Sequence, residues 1–329
     1  MISERCVQPR SAGVALGRRS PCLPALALLL VIDSASGCAP EAKLDVLLHQ
    51  DLGASGHSGR AAVSGRGGAP GASGAEICDG LDNDGNGIID DLDVQGDGVC
   101  DCLNIATIGQ VGPWGNGSSV FKSWLSAHSP TPAVELGDQV ITDDLLRPFQ
   151  VIVVLYASTL DETSNGLTLH AHHAFSVDEV AAFEQWVRRG GGVMTTAGYA
   201  ADEAKEVVNV NRLLAPLGLG YSRTKLALDG YITDWVEHAL TSEVHNIRTS
   251  RGVEPDGSAG LTLARDASRH VALQAGQPDD GHVVVWGDEW ITYDSQWRAV
   301  GDQQVERFWL NILKWTSPSK VCQVPITPD

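Results

Sequence analysis

Gln150-Val-Ile-Val-Val-Leu-Tyr156 decides the fold. An apolar, mostly β-branched run without polar alternation predicts a strand buried on both faces, as in a parallel sheet covered by helices. Downstream, Ser176-Val-Asp-Glu179 is a capping box, which predicts a helix running to Arg189. Val177, Val180, Phe183 and Val187 form its expected apolar stripe. Gly190-Gly-Gly192 ends that helix, Val193 to Ala197 is the next strand, and a further helix runs to about Pro216. Upstream, the pattern predicts a strand at Leu103–Gly109 and a helix at Ser118–His128 capped by Ser118 or Ser119. A weak strand near Val134 and a short helix near Leu145 follow. His282–Trp286 is a second buried strand, and Asp302–Trp315 a closing helix with Val305, Phe308, Trp309, Ile312 and Leu313 on one face. This alternation predicts an α/β fold, a doubly wound and mostly parallel sheet, over residues 103–317.

Outside that domain the chain changes character. The net charge of -18 argues against nucleic acid and anionic membrane surfaces as partners. Much of that charge is local: residues 76–102 are rich in carboxylates and contain no Lys or Arg. Within them Asp82, Asp84, Asn86, Ile88 (through its carbonyl), Asp90 and Asp93 fall at positions 1, 3, 5, 7, 9 and 12 of a calcium loop, with Gly87 at position 6. The expected cofactor is Ca2+; a solvated acidic linker is the plainer reading of such a run. A partial second repeat runs from Asp93 through Asp97 to Asp101.

Arg10, Arg18 and Arg19 precede the apolar run Leu23–Ile32, too short for a stable membrane span, so residues 1–38 read as an export signal. Residues 39–75, dominated by Gly, Ala and Ser, read as a disordered tether. Residues 318–329 form a C-terminal tail. In an oxidising compartment Cys78, Cys100, Cys102 and Cys322 can pair in three ways. The preferred arrangement joins Cys78 to Cys100 and Cys102 to Cys322. A zinc site is the weaker alternative, since Cys100-Asp-Cys102 lacks a two-residue gap.

Several passages resemble known families. Ala35-Ser36-Gly37-Cys38 resembles a bacterial lipobox, which implies lipidation at Cys38 and a membrane partner through that anchor, at the outer membrane, periplasm or cell surface. The acidic loop resembles thrombospondin type 3 and dockerin calcium loops. Cys78-Asp-Gly-Leu-Asp-Asn-Asp84 resembles a motif of secreted myxobacterial proteins, with Gly85 where that motif carries a second Cys. The main domain is similar to the class I glutamine amidotransferase-like, flavodoxin-like superfamily on three passages: Gln150–Tyr156 with the following helix and Gly-Gly-Gly-Val-Met; Glu237–His245; and Gly281–Asp288 before the closing helix. It lacks that family's Gly-x-Cys-x-Gly nucleophile elbow, so the resemblance implies a non-catalytic domain that binds or scaffolds, with a glycan or protein partner.

Ligands of open α/β sheets bind beyond the carboxyl ends of the strands. Trp114, Ser158, Tyr199, Asp288, Glu289 and Trp290 are the ligand-binding candidates there. Aromatic faces beside carboxylates around Trp286–Trp297 suit sugar rings. Asp288 and Glu289 could form an acid–base pair in an alternative reading as an extracytoplasmic hydrolase or carbohydrate-active enzyme; core packing is the blander one. Gly109–Gly117 before a helix could bind an anion, although a turn fits it better. His170 and His172, with Asp161 or Glu162, could face a metal, although an exposed polar loop is the simpler reading.

Overall fold

The computed structural model describes residues 75–78, 81–111, 117–130, 132–164, 167–198, 203–297 and 304–318. The expected export signal with Cys38, all but the last residue of the expected tether, Trp114, Tyr199 and Cys322 lie outside them. Eight strands form the central sheet: β1 (Ile105–Ile108), β2 (Val134–Gly137), β3 (Val151–Val154), β4 (Gly192–Thr196), β5 (Asp234–Trp235), β6 (Leu261–Arg265), β7 (Val271–Gly276) and β8 (His282–Trp286). Their order is β2-β1-β3-β4-β8-β7-β6-β5. The first five are mutually parallel, and the sheet continues through antiparallel pairs. Taken in chain order, the parallel five follow the 2-1-3-4-5 arrangement of flavodoxin-like folds.

The apolar run at Val151–Val154 forms β3, inside the parallel part of this sheet. Successive side chains point to opposite faces. Val151 and Val153 enter a core with helices α1 (Ser119–Ala127) and α6 (Val305–Thr316), while Ile152 and Val154 enter another with α3 (Val177–Arg188) and α4 (Glu203–Leu214); α2 (Asp143–Leu146) and α5 (Asp294–Trp297) are single turns. All four strand residues are fully buried, each worth ~1.5–3 kcal/mol. Burial on both faces favours apolar side chains at every position, which explains the unbroken apolar run.

Several expectations need correction. Val177 is exposed and leaves the stripe of α3, whose buried side is Glu179, Phe183, Trp186 and Val187. The capping box itself is present: Ser176 accepts from the Glu179 N–H, and Glu179 accepts from the Ser176 N–H. Neither Ser118 nor Ser119 caps α1. Asp294 does so from far along the chain, accepting from the Val120 N–H (2.8 Å) and the Ser119 hydroxyl (2.6 Å). The expected pairs Cys78–Cys100 and Cys102–Cys322 are overturned by a Cys78–Cys102 disulfide. Cys102 is buried beside Leu103 at the entrance to β1, so the bond staples the acidic segment to the sheet. Cys100 is also disulfide-bonded.

Candidate functional site

Residues 82–101 fold as two turns of the same construction, eleven positions apart by the numbering of their leading aspartates, Asp82 and Asp93. Asp82 accepts from the N–H groups of Gly85 (2.7 Å) and Gly87 (2.9 Å). Asp93 accepts from Gly96 (2.6 Å) and Gly98 (2.8 Å). Asn86 accepts from Ile88 N–H and Asp97 from Val99 N–H. All four glycines have positive φ, a backbone that a side chain would strain.

The surroundings differ. In the first turn the carboxylates of Glu76, Asp84 and Asp91 converge within 4.8 Å of one another. Only Asp84 belongs to the set expected from spacing. Asp90 is buried with φ 54°, and Asp93 serves the second turn. That second turn has Gln95 in the place of Asp84. The Gln95 amide donates to Asp101 (3.1 Å), and His128 contacts Asp97 through Nε2 at 3.0 Å. The Lys314 ammonium lies 3.0 Å from where a Cβ on Gly98 would sit.

At the carboxyl ends of the strands, Asp288 and Glu289 are both buried and take different partners. Asp288 caps a short turn by accepting from the Trp290 N–H (2.8 Å) and also accepts from the Ser250 N–H. Burial pushes its pKa well up, and these backbone donors offset part of that. Glu289 lies against Gly198, where any Cβ would collide with its carboxyl group, and accepts from the Tyr293 hydroxyl. Burial and the Glu289 charge raise the Tyr293 pKa well above its ordinary value.

Sequence reasoning missed Glu206, an acidic residue on the apolar side of α4. It accepts from the Gly198 N–H at 2.5 Å. Burial, then the negative charge of Glu289, raises its pKa well above its ordinary value. Ser158 is buried, and its carbonyl accepts from the His172 N–H. Trp286 is core, whereas Trp290 is half-buried under the Arg248 guanidinium.

A cavity of about 430 Å3 opens at the ends of β1 and β2, lined by Gly109, Gly117, Phe121, Lys122, Leu125 and Glu135 among others. It adjoins the loop proposed from sequence for an anion. The nearby helix N-terminus already holds the Asp294 carboxylate, and Lys122 is paired with Glu135 at 2.6 Å. An anion would therefore meet competing negative charge.

The histidine loop gathers different residues from those expected. His170 is exposed, with Asp161 4.0 Å away. His173 instead lies between Asp138 (2.5 Å) and Glu179 (2.6 Å), with His172 at 3.1 Å from Asp138. Burial lowers the His173 pKa, but the two carboxylates outweigh it and the net shift is upward. Burial likewise opposes the drop of Glu179, which N–H donors from Ser176 and Ile141 and the His173 ring bring to about 2. Every ring nitrogen of His172 and His173 lies within 3.2 Å of an oxygen, and ligand atoms of Asp138, His172 and His173 lie within 4.8 Å of one another.

No family model matches this sequence, and no curated protein matches it. Among solved structures it is similar to the cytoplasmic protein STM1381 from Salmonella typhimurium LT2, at 16% identity over 65% of this chain and 100% of that one, TM-score 0.49. It is also similar to STM3548 from Salmonella typhimurium, at 14% identity over 65% and 99%, TM-score 0.47. A ThuA-like protein from Bacteroides uniformis ATCC 8492 is similar at 10% identity over 65% and 89%, TM-score 0.39. The flavodoxin-like character of this chain rests on its strand order and strand directions.

Proposed function

We propose that this chain is an exported, lipid-anchored calcium-binding protein whose amidotransferase-like domain is non-catalytic and serves as a binding or scaffolding module at the cell surface. The observation that carries the calcium part is the Asp82 turn. Its leading carboxylate holds the N–H groups of Gly85 and Gly87, and this closes the acidic segment into a loop with Gly87 at the sharp bend. The domain part is supported by the strand ends. There Asp288 is occupied as a cap and Glu206 and Glu289 are packed on Gly198. No cysteine stands there among the described residues. The lipid anchor is supported by the sequence around Cys38 alone. A glycan or protein partner is the matching ligand class, with the cavity beside Phe121 and Lys122 as its first candidate seat.

Isothermal titration of the oxidised chain with calcium, repeated in excess magnesium, tests the calcium part. The expected result is saturable calcium binding that magnesium does not abolish. A chain that takes up no calcium at millimolar concentration contradicts it.

A further inference from the structure

We infer that the cation is held by Glu76, Asp84 and Asp91, rather than by the 1, 3, 5, 7, 9, 12 ligand set that the sequence spacing suggests. This inference rests on the calcium reading above and assigns its ligands. Glu76 precedes the loop and falls outside its spacing pattern, yet three contacts fold it back over the turn. The Ile77 N–H donates to Asn83 (3.2 Å), the Asp84 N–H donates to Glu76 Oε1 (2.7 Å), and the Cys78–Cys102 disulfide fixes the strand of chain that follows.

The result is a carboxylate only 7% exposed. Its second oxygen, Oε2, is buried without a hydrogen-bond partner. Asp91 is in a related state. The Asn86 amide donates to Asp91 Oδ2 (2.9 Å) and to Asp84 Oδ2 (3.1 Å), while Asp91 Oδ1 is buried and unpartnered.

Buried carboxylate oxygens that lack a donor are costly, and three carboxylates within 4.8 Å of one another repel. Residues 76–102 contain no Lys or Arg to relieve this. A cation contacting the bare oxygens answers both problems at once. The oxygens of the turn proper are differently placed. Those of Asp82 and Asp93 already face backbone N–H groups, and Asn86 Oδ1 faces that of Ile88. Those residues shape the loop; Asp84 does so too, accepting from the Asn86 N–H (2.9 Å), and adds its charge to the bare oxygens of Glu76 and Asp91. An all-oxygen, carboxylate-rich set suits a hard divalent ion, and its irregular geometry suits calcium over magnesium.

The test is calcium titration calorimetry on the oxidised full chain and on Glu76→Gln, Asp91→Asn and Asp93→Asn, with circular dichroism to check each fold. Loss of a charged ligand in Glu76→Gln or Asp91→Asn is expected to weaken binding by about tenfold or more, and Asp93→Asn by less than about threefold. Asp91 is only partly buried, so Asp91→Asn decides if Glu76→Gln fails to fold. Wild-type affinity in Asp91→Asn and in a folded Glu76→Gln overturns the inference. If Asp93→Asn alone abolishes binding, the spacing-based set holds the ion, so the calcium reading stands and this ligand assignment falls. A wild-type chain that binds no calcium removes both.

Discussion

The two acidic turns share a backbone and differ in how their charge is answered. Asp82 and Asp93 lead turns with matching hydrogen bonds and matching glycines. Around the first, carboxylates converge and two buried oxygens have no donor. Around the second, Gln95 replaces a carboxylate, and His128 contacts Asp97 while Lys314 stands by Gly98. On the ligand assignment proposed above, the same local fold does not imply the same ion. Turn geometry is set by an aspartate and two glycines, whereas the unanswered charge is set by what surrounds them. A third cluster extends the contrast: Asp138 and Glu179 are answered by His173 between them.

The largest expected effect comes from removing what both turns share. Cys78→Ser with Cys102→Ser opens a bridge spanning 24 residues, and should cost about 3 kcal/mol and lower Tm by about 10 °C. The loss should persist with or without calcium, because the staple is covalent. Next, His128→Ala removes a buried ring that reaches both Asp97 and the Trp124 carbonyl. It should destabilise the chain by about 1–3 kcal/mol, as read by urea denaturation, with calcium affinity unchanged. A coupled loss of calcium binding would mean that the two turns act as one site.

The histidine cluster gives a pH signature. Glu179 has a depressed pKa, so its contribution is full above the ordinary carboxylate range and is lost as pH falls toward about 2. His173 has a raised pKa, so its contribution is full below 6.5 and is lost as pH rises through the raised value. Melts across pH should show Glu179→Gln flattening the acid limb. An unchanged acid limb would remove Glu179 from the account. The smallest expected effect is a gain: Gln95→Asp in the second turn restores the carboxylate found at Asp84. It should add at most weak calcium binding, since His128 and Lys314 stay beside Asp97 and Gly98. A second tight site in that variant would show that turn sequence alone sets ion demand.

The inner parallel strands were legible because burial on both faces leaves an unbroken apolar run, as in Val151–Val154 and Val283–Trp286. The antiparallel half was not. Asp234–Trp235 is two residues long, Leu261–Arg265 mixes exposed and buried positions, and in Val271–Gly276 the polar Gln274 is buried. Gln274 accepts from the Gly257 N–H across a loop, a compensation that no local pattern reveals. The Asp294 cap of α1 and the approach of Glu206 to Glu289 are likewise long-range contacts. Among the cation candidates, spacing picked out Asp84 but could not place Glu76, whose role depends on the chain doubling back. Nor could cysteine spacing choose Cys78–Cys102 from the three possible pairings.

The most direct test of the central claim is a thermal melt of the oxidised full chain across a calcium titration, with chelator and magnesium controls. An ion that binds the folded first turn, stapled to β1 through Cys102, should raise the midpoint progressively with calcium and much less with magnesium. A midpoint that stays flat from chelator to millimolar calcium would contradict the claim that the first turn depends on an ion.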